Sequence, residues 1–370
     1  MLDGLRQGLV RCCSALALIV ATLMTIAAQS SRPASDRASL RLFPVQALWT
    51  LTLDRQLIVP PAYDATYVYL ATDPGRLVAY EIAHGTEAWS IEAHPQHELA
   101  TGDGLVFLVE PDLLTARRAT DGGIAWQVPF TDSLVAPPAW GNGRLVVATG
   151  DGAVVLVRAS DGHIAWRRDL SSPARSRAAI TANHVYVSID EGRLVALLAD
   201  TGETVWERRL GGPATDMLAL DTRIYVGSTD NFLYCLNARD GRIEWRWRTG
   251  ADVTGIPVVD DRNVYFVSLD NVLRALSRTT GVQRWFRPLP LRPTAGPIKA
   301  GGTLIVPGLA PTLPAYDVKD GAPAGGLSAG DGDTAALVRL ISHDTTELPG
   351  VVIVTRNVKG VTATLVTRQR

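Results

Sequence analysis

The tryptophans of this chain recur at an almost fixed spacing. Six of them follow one another at nearly constant steps, and a seventh lies one such step before the first. These seven are Trp49, Trp89, Trp126, Trp166, Trp206, Trp245 and Trp285. Self-similarity at a period of about 40 residues is typical of propellers, solenoids and repeat arrays. The repeat therefore constrains the fold before any single residue is interpreted.

A turn signal precedes each of the six later tryptophans. A glycine lies four residues before each one, at Gly85, Gly122, Gly162, Gly202, Gly241 and Gly281. Most of these glycines follow Asp or Thr, and such pairs favour tight hairpins because glycine tolerates positive φ. Upstream of each turn lies a second hairpin that is apolar on both alternating faces, as in Val185–Leu198. This pattern indicates strands that neighbouring repeats cover on both sides.

Each unit therefore holds a lead-in strand, two strands of an apolar hairpin and a fourth strand carrying tryptophan, which is the content of one propeller blade. We count eight apolar hairpins: Tyr67–Tyr80, Leu105–Arg117, Leu145–Arg158, Val185–Leu198, Ile224–Leu236, Val264–Leu276, Thr303–Tyr316 and Val351–Val366. We predict an all-β fold, an eight-bladed β-propeller of four-stranded antiparallel blades, with seven blades as the alternative.

The two ends of the chain each carry half of a unit. The Trp49 strand has no apolar hairpin before it, and the hairpin at Val351–Val366 has no tryptophan strand after it. We therefore predict that N-terminal and C-terminal strands share the last blade, which would close the ring and remove exposed sheet edges.

The segment from Arg287 to Gly350 departs from the repeat. It contains Pro288, Pro290, Pro293, Pro297, Pro307, Pro311, Pro314 and Pro323. Gly325 stands where the next tryptophan would fall. Because proline removes ladder donors, we expect short strands and a mobile connection here. A degenerate terminal repeat explains this segment, and a partner-binding insertion is the alternative.

The coupled features together resemble the repeat of the PQQ-like quinoprotein β-propellers. The unit is seen in Ser188–Trp206 and Ser228–Trp245, and the likeness covers roughly residues 45–370. In that family the tryptophan docks between adjacent blades, so the resemblance implies a structural blade-docking role for the seven tryptophans. The family includes PQQ-dependent dehydrogenases and a BamB-like branch of non-catalytic envelope proteins. One fold hosts many functions, so the site must decide between them.

The first residues read as an export signal. Arg6 and Arg11 precede an uncharged stretch, Cys12–Ala28, which ends in small residues. We assign residues 1–30 to a signal peptide or N-terminal anchor, 31–42 to a flexible leader and 43–370 to the propeller. Ile26 fits a cleavage site after Ala28 poorly, so an uncleaved inner-membrane anchor stays open. Either way the propeller is expected to be exported, in the periplasm.

Charge and cysteine content exclude several classes of protein. Lys plus Arg total 36 and Asp plus Glu total 37, for a net charge of −1. This balance gives no case for binding nucleic acid or an anionic membrane. Only Cys235 lies beyond the signal segment, so no intrachain disulfide is expected, and its apolar neighbours indicate a buried thiol.

The resemblance also implies which residues a catalytic member of the family would need. A quinone-dependent dehydrogenase needs calcium held by carboxylate and amide oxygens and an aspartate base. The alcohol-oxidising members carry an adjacent cysteine pair, whereas here the pair is Cys12 and Cys13 in the export signal. We therefore predict no catalytic residue, no metal ligand and no cofactor; PQQ with calcium belongs only to the alternative function.

Three repeated features could suggest binding sites, and each has a simpler interpretation. Asp190, Asp230 and Asp270 recur at equivalent positions, where aspartate favours turns. His94 and His97 form a close pair that we assign to a solvated loop rather than to zinc. Arginines follow several tryptophans: Arg167, Arg168, Arg208, Arg209, Arg246, Arg248 and Arg287. They block edge pairing or, alternatively, form a basic stripe for an acidic partner.

These patterns together predict an exported, monomeric, non-catalytic β-propeller that serves as a protein-interaction scaffold for an envelope protein partner. A PQQ-binding quinoprotein or redox protein is the second hypothesis. A membrane-anchored sensor or ligand-binding module is the third.

Overall fold

The computed structural model describes residues 42–53, 55–174, 176–189, 192–329, 337–341, 350–357 and 360–369. The predicted signal or anchor, nearly all of the predicted leader, Asp190 and parts of the predicted mobile connection lie outside the described residues. The regular elements that the structure describes are all β-strands, and residues 41–370 group into one compact unit. Within the described ranges we find no helix with the length and apolar character that a membrane span requires.

The described strands form eight four-stranded antiparallel sheets. Seven sheets are built from consecutive strands and are called blades 1 to 7. Blade 1 consists of β2 (Ala62–Tyr63), β3 (Tyr67–Thr72), β4 (Arg76–Glu81) and β5 (Glu87–Glu92). Blade 2 consists of β6 (Ala100–Gly102), β7 (Leu105–Glu110), β8 (Leu113–Arg118) and β9 (Ile124–Pro129). Blade 3 consists of β10 (Ala139–Gly141), β11 (Arg144–Ala148), β12 (Ala153–Arg158) and β13 (Ile164–Asp169).

The next four blades follow the same order. Blade 4 consists of β14 (Ala179–Ile180), β15 (His184–Ile189), β16 (Arg193–Leu198) and β17 (Thr204–Arg209). Blade 5 consists of β18 (Ala214–Ala219), β19 (Arg223–Ser228), β20 (Phe232–Asn237) and β21 (Ile243–Arg248). Blade 6 consists of β22 (Val253–Val259), β23 (Asn263–Ser268), β24 (Val272–Ser277) and β25 (Gln283–Pro288). Blade 7 consists of β26 (Ile298–Ala300), β27 (Thr303–Ile305), β28 (Thr312–Asp317) and β29 (Pro323–Ser328).

The eighth sheet joins the two ends of the chain. Its strands are β30 (Leu337–Ile341), β31 (Gly350–Asn357), β32 (Gly360–Arg368) and β1 (Val45–Leu53), with β1 paired to β32. Trp49 lies opposite Leu365, next to a bulge that follows Ala47. The predicted all-β propeller with shared chain ends is therefore confirmed, and the sheet topology gives eight sheets, the eighth of them composite.

Most of the tryptophans lie on the outermost strand of a blade, and a residue with a small side chain pairs with each of them on the adjacent strand. Ala79 pairs with Trp89, and Cys235 occupies the same place opposite Trp245. A bulge follows this pair in each of these two blades. The small partner leaves room on the sheet face for the large indole, so each ring can lean toward the neighbouring blade.

The core lies between the blades. One cluster of buried side chains combines Val146 and Leu156 of blade 3 with Val187 and Val195 of blade 4. Because each sheet is covered by a neighbour on both faces, its middle strands are apolar on both faces, as expected for fully covered strands.

Blade 7 carries the irregularities that its prolines predict. Its first two strands, β26 and β27, are three residues long. At Gly325 the φ angle is +142°, and an added Cβ would lie 2.5 Å from the ring of Phe43. Leu42 is fully buried, and its backbone N–H donates to Oγ1 of Thr303 at 3.0 Å. An aromatic ring from the N-terminal segment thus packs where the repeat lacks its tryptophan.

Candidate functional site

The contact that joins one blade to the next is built from a tryptophan and a turn glycine. In blade 3, Nε1 of Trp166 donates to the carbonyl of Ala199 in blade 4 at 3.0 Å. The indole packs against Gly202, where an added Cβ would sit 2.7 Å from Cδ2 of the ring. Gly202 has a φ of +71°, so glycine meets both the backbone geometry and the close approach of the ring.

This contact, in which a tryptophan packs on a turn glycine and bonds a carbonyl group of the next blade, is called a lock. It recurs around the ring. The indole and glycine pairs are Trp49 with Gly85, Trp89 with Gly122, Trp126 with Gly162, Trp166 with Gly202, Trp206 with Gly241, Trp245 with Gly281 and Trp285 with Gly321. The acceptor carbonyls belong to Ile82, Ala119, Ala159, Ala199, Ala238, Arg278 and Val318. The Trp49 lock joins the composite sheet to blade 1.

Tyrosines reinforce three of these locks. In blade 4 the hydroxyl of Tyr186 donates to the carbonyl of Ala238 at 3.2 Å, the same oxygen that Nε1 of Trp206 reaches at 3.1 Å. The two rings lie 5.9 Å apart, and burial raises the pKa of Tyr186 to about 12. Equivalent pairs are Tyr225 with Trp245 and Tyr265 with Trp285. Sequence reasoning missed these tyrosines, although they recur with the same period as the tryptophans and so carried a usable signal.

The arginines after the tryptophans also contact the neighbouring blade. Nε of Arg208 donates to the carbonyl of Gly241 at 2.8 Å, and Nε of Arg287 donates to that of Gly321 at 2.7 Å. Arg168 approaches Oγ1 of Thr204 at 3.4 Å. Two further contacts lie within a blade: Arg167 pairs with Asp151, and the guanidinium of Arg246 lies 4.9 Å from the Phe232 ring centroid. These contacts engage much of the predicted basic stripe.

The repeated aspartates that the structure describes hold turns. Oδ1 of Asp230 accepts a hydrogen bond from the backbone N–H of Phe232 at 3.2 Å. Asp270 pairs with Arg274 at 2.6 Å and accepts a hydrogen bond from Ser268. Burial opposes ionisation of Asp270, but these hydrogen bonds outweigh it and lower the pKa of the carboxyl.

The two neighbouring histidines, His94 and His97, contact different residues. Nε2 of His97 lies 2.9 Å from the carbonyl of Leu134 in the next blade, whereas His94 lies 3.6 Å from Glu92. Over the described ranges, no group of three or more His, Cys, Asp or Glu side chains is placed to hold a metal ion. Cys235 is buried, and its burial raises the pKa of the thiol to about 12.

The innermost strands of blades 1 to 4 line a cavity of about 350 Å³. Nη2 of Arg177 donates to Oε2 of Glu98 at 2.6 Å and so connects blade 2 to the strand entering blade 4. Trp140 covers Gly102, where an added Cβ would lie 2.0 Å from the indole. Burial raises the pKa of Asp216 on β18, and the charge of Arg177 opposes that shift only in part. The Arg177–Glu98 ion pair and Trp140 are thus part of the cavity lining.

A second groove lies between blades 6 and 7, with a volume of about 610 Å³. Arg262, Arg284 and Lys319 line it together with Asp261, and all four side chains are exposed. The other lining residues are Asn263, Ser277, Thr279 and Thr280, which all have polar side chains.

Comparison with known proteins places this ring in a family. The profile of the family described as outer membrane protein assembly factor BamB matches residues 46–119, 111–220 and 217–364. BamB of Nitrosomonas eutropha is 30% identical over 116 residues, which are 30% of this chain and 28% of that protein. The alignment thus spans less than a third of that relative.

Solved structures of other proteins share this fold. BamB from Moraxella catarrhalis superposes with a TM-score of 0.71 at 18% identity, over 87% of this chain and 99% of that one. Quinohemoprotein alcohol dehydrogenase from Comamonas testosteroni gives 0.70 at 12% identity, over 93% of this chain and 82% of that one. The fold alone does not separate a binding protein from a dehydrogenase. The match of the family profile across three segments shows the family, and this chain belongs to the BamB family of PQQ-like β-propellers.

Proposed function

We propose that the protein is an exported, non-catalytic β-propeller that acts as an interaction scaffold for a protein partner in the cell envelope. The match of the family profile between residues 46 and 364 carries this proposal, because it spans the ring rather than a single motif. The relative from Nitrosomonas eutropha is described as an outer membrane protein assembly factor. By that likeness, the partner is a component of outer membrane protein assembly.

The contacts within the ring support a scaffold. The tryptophans and several polar side chains are engaged in joining blades, as in the bonds from Trp166 to Ala199 and from Arg208 to Gly241. Rigid blades hold their loops in fixed positions, and a surface that changes little on binding is suited to docking a partner. The thiol of Cys235 is buried, and the carboxylate of Asp230 accepts a hydrogen bond in its turn. Both features fit a structural role for these groups.

Partner capture tests this function. The full chain, carrying a C-terminal affinity tag, is expressed in its own host, crosslinked in the envelope fraction and purified. We expect an outer membrane assembly component to copurify at a stoichiometry near one to one. Recovery of the tagged chain alone, at expression levels matching the native protein, would contradict the scaffold function.

The likeness to a quinohemoprotein alcohol dehydrogenase is the observation that favours a second candidate, a PQQ-binding redox protein. Purified protein is incubated with pyrroloquinoline quinone and calcium and assayed with alcohols and an artificial electron acceptor. The scaffold predicts no reduction of the acceptor above the rate of the quinone alone. Turnover that saturates with substrate would favour the dehydrogenase.

The proposed location is the periplasm, with residues 1–30 as the export signal. Membrane fractionation and N-terminal sequencing of the mature protein separate a cleaved signal from an anchor. A mature chain that begins after residue 28 supports cleavage, whereas an intact N-terminus in the inner-membrane fraction supports the anchored alternative.

A further inference from the structure

We propose that the groove between blades 6 and 7 binds an acidic peptide segment of a partner protein. This inference rests on the proposed scaffold function and specifies the chemistry of the partner. The groove, lined by Arg262, Arg284 and Lys319, carries three basic side chains and one acidic side chain, Asp261. In the part of the chain that the structure describes, none of the three basic side chains forms an ion pair.

Comparison with the preceding blade explains why this groove is charged. In blade 5, Glu244 precedes Trp245 and pairs with Arg223 at 2.6 Å, so the basic group there is neutralised within the blade. In blade 6, Arg284 precedes Trp285 in the position of Glu244, and Asn263 begins β23 as Arg223 begins β19. Blade 6 therefore has a base at the position of the acid and an amide at the position of its arginine partner, so Arg284 has no counterpart of Glu244 within its blade. An external carboxylate can supply the missing charge.

The turn that carries Arg262 is held in place. Oδ1 of Asp260 accepts hydrogen bonds from the backbone N–H groups of Arg262 at 2.8 Å and Asn263 at 2.7 Å. Oδ2 of the same carboxylate accepts the hydroxyl of Tyr265 at 2.5 Å. A turn fixed in this way presents the arginine with little backbone entropy left to lose on binding.

The arrangement favours a peptide over a membrane surface. The three basic groups lie on separate elements around the groove: one on the turn before β23, one on β25 and one on the turn before β29. Spaced charges match carboxylates at intervals along an extended chain. Attraction to an anionic membrane usually takes clusters of about four to eight basic residues. The hydroxyls of Thr279 and Thr280 at the groove can bond the backbone of a bound peptide.

Fluorescence anisotropy tests the proposal with a defined probe. The probe is a fluorescein-labelled decapeptide of alternating glutamate and serine, and the reference peptide carries glutamine in place of glutamate. The full chain is titrated at an ionic strength of about 20 mM, where screening is weak. We expect the glutamate peptide to bind about tenfold more tightly than the glutamine peptide, and the difference to vanish at about 0.5 M salt.

Two double variants locate the site. Arg284→Gln with Lys319→Gln removes two groove charges and is expected to weaken peptide binding about tenfold, the combined effect of two exposed charge contacts. Arg239→Gln with Arg242→Gln removes two exposed charges from a turn of blade 5 and is expected to change binding less than about twofold. Thermal unfolding establishes that both variants fold as the wild type does.

Several results would overturn the groove assignment. These are equal binding of the two peptides, unchanged affinity in the groove variant, or an equal loss in the blade 5 variant. Binding of phosphatidylglycerol vesicles that depends on Arg284 and Lys319, without peptide binding, would replace the peptide by a lipid headgroup. Failed peptide binding with successful partner capture overturns the groove alone. Charge-dependent peptide binding with failed capture supports the groove and contradicts the scaffold.

Discussion

Nε1 of Trp49 donates a hydrogen bond to the backbone carbonyl of Ile82 at 2.8 Å. The two residues lie in different sheets: Trp49 is on β1 of the composite sheet, and Ile82 follows β4 in blade 1. The bond repeats the lock that joins the other blades, here with a strand from the N-terminal end of the propeller. Strand pairing and indole docking therefore close the ring together.

The turn glycines offer a stability test with an internal control. Gly202→Ala adds a Cβ 2.7 Å from Trp166 at a φ of +71°, whereas Gly104→Ala adds one at a φ of +73° with no atom within 4 Å. Left-handed backbone alone costs about 1 kcal/mol in unfolding free energy, and overpacking adds about 1–3 kcal/mol. Urea denaturation should show a loss of about 3 kcal/mol for Gly202→Ala and about 1 kcal/mol for Gly104→Ala. Equal losses would mean that the indole does not pack on the glycine.

The shared acceptor of Tyr186 and Trp206 predicts coupling between the two side chains. Each of Tyr186→Phe and Trp206→Phe removes one donor and leaves the other on the carbonyl of Ala238, at a cost of about 1 kcal/mol for the lost bond. The double variant leaves this buried carbonyl without either donor. A double-mutant cycle by urea denaturation should give a coupling energy of about 1 kcal/mol. Strictly additive losses would show that the two donors act independently.

These locks show how much the sequence predicts. The spacing of tryptophan and glycine defines the blade, its turn and the strand that must pair with the last hairpin. That Tyr186 and Trp206 bond the same carbonyl, that of Ala238, could not be predicted, because it depends on the distance between blade 4 and blade 5. Likewise, Phe43 packs against Gly325 although the two lie near opposite ends of the propeller sequence. Only closure of the ring brings those two together.

The groove between blades 6 and 7 could not be predicted from the sequence either. Arg284 reads as one more arginine near a tryptophan, as Arg287 does, yet their surroundings differ. Arg287 bonds the carbonyl of Gly321, while Arg284 lines the open groove. The contrast with the Arg223 and Glu244 pair appears only when equivalent strands are compared in register.

The carboxyl of Asp216 predicts a pH dependence. Burial raises its pKa in the folded protein, so the folded state holds the proton more tightly than the unfolded state does. Its contribution to stability therefore falls as the pH rises from about 4, near the unfolded pKa, through the raised value. Wild-type protein should lose stability relative to Asp216→Asn as the pH rises above about 4. A difference in unfolding free energy that stays constant across this range would contradict the shift.

The thiol of Cys235 should be unreactive in the folded protein. With a pKa of about 12, about one thiol in ten thousand is ionised at pH 8, and the side chain is buried opposite Trp245. Peptide mapping after iodoacetamide treatment should find Cys235 unmodified in native protein and modified in guanidinium chloride. Rapid alkylation under native conditions would show an accessible thiol and a looser blade 5.

Closure of the ring by β1 is the central structural claim, and hydrogen exchange of backbone amides measures it most directly. β1 pairs with β32 from Val45 opposite Arg368 to Leu53 opposite Val361. If the ring is closed, the ladder amides of β1 and β32 should exchange as slowly as those of β15 and β16, and Trp49→Ala should accelerate exchange in both end strands together. Fast exchange throughout β1, with β15 and β16 still protected, would contradict a ring closed by its N-terminal strand.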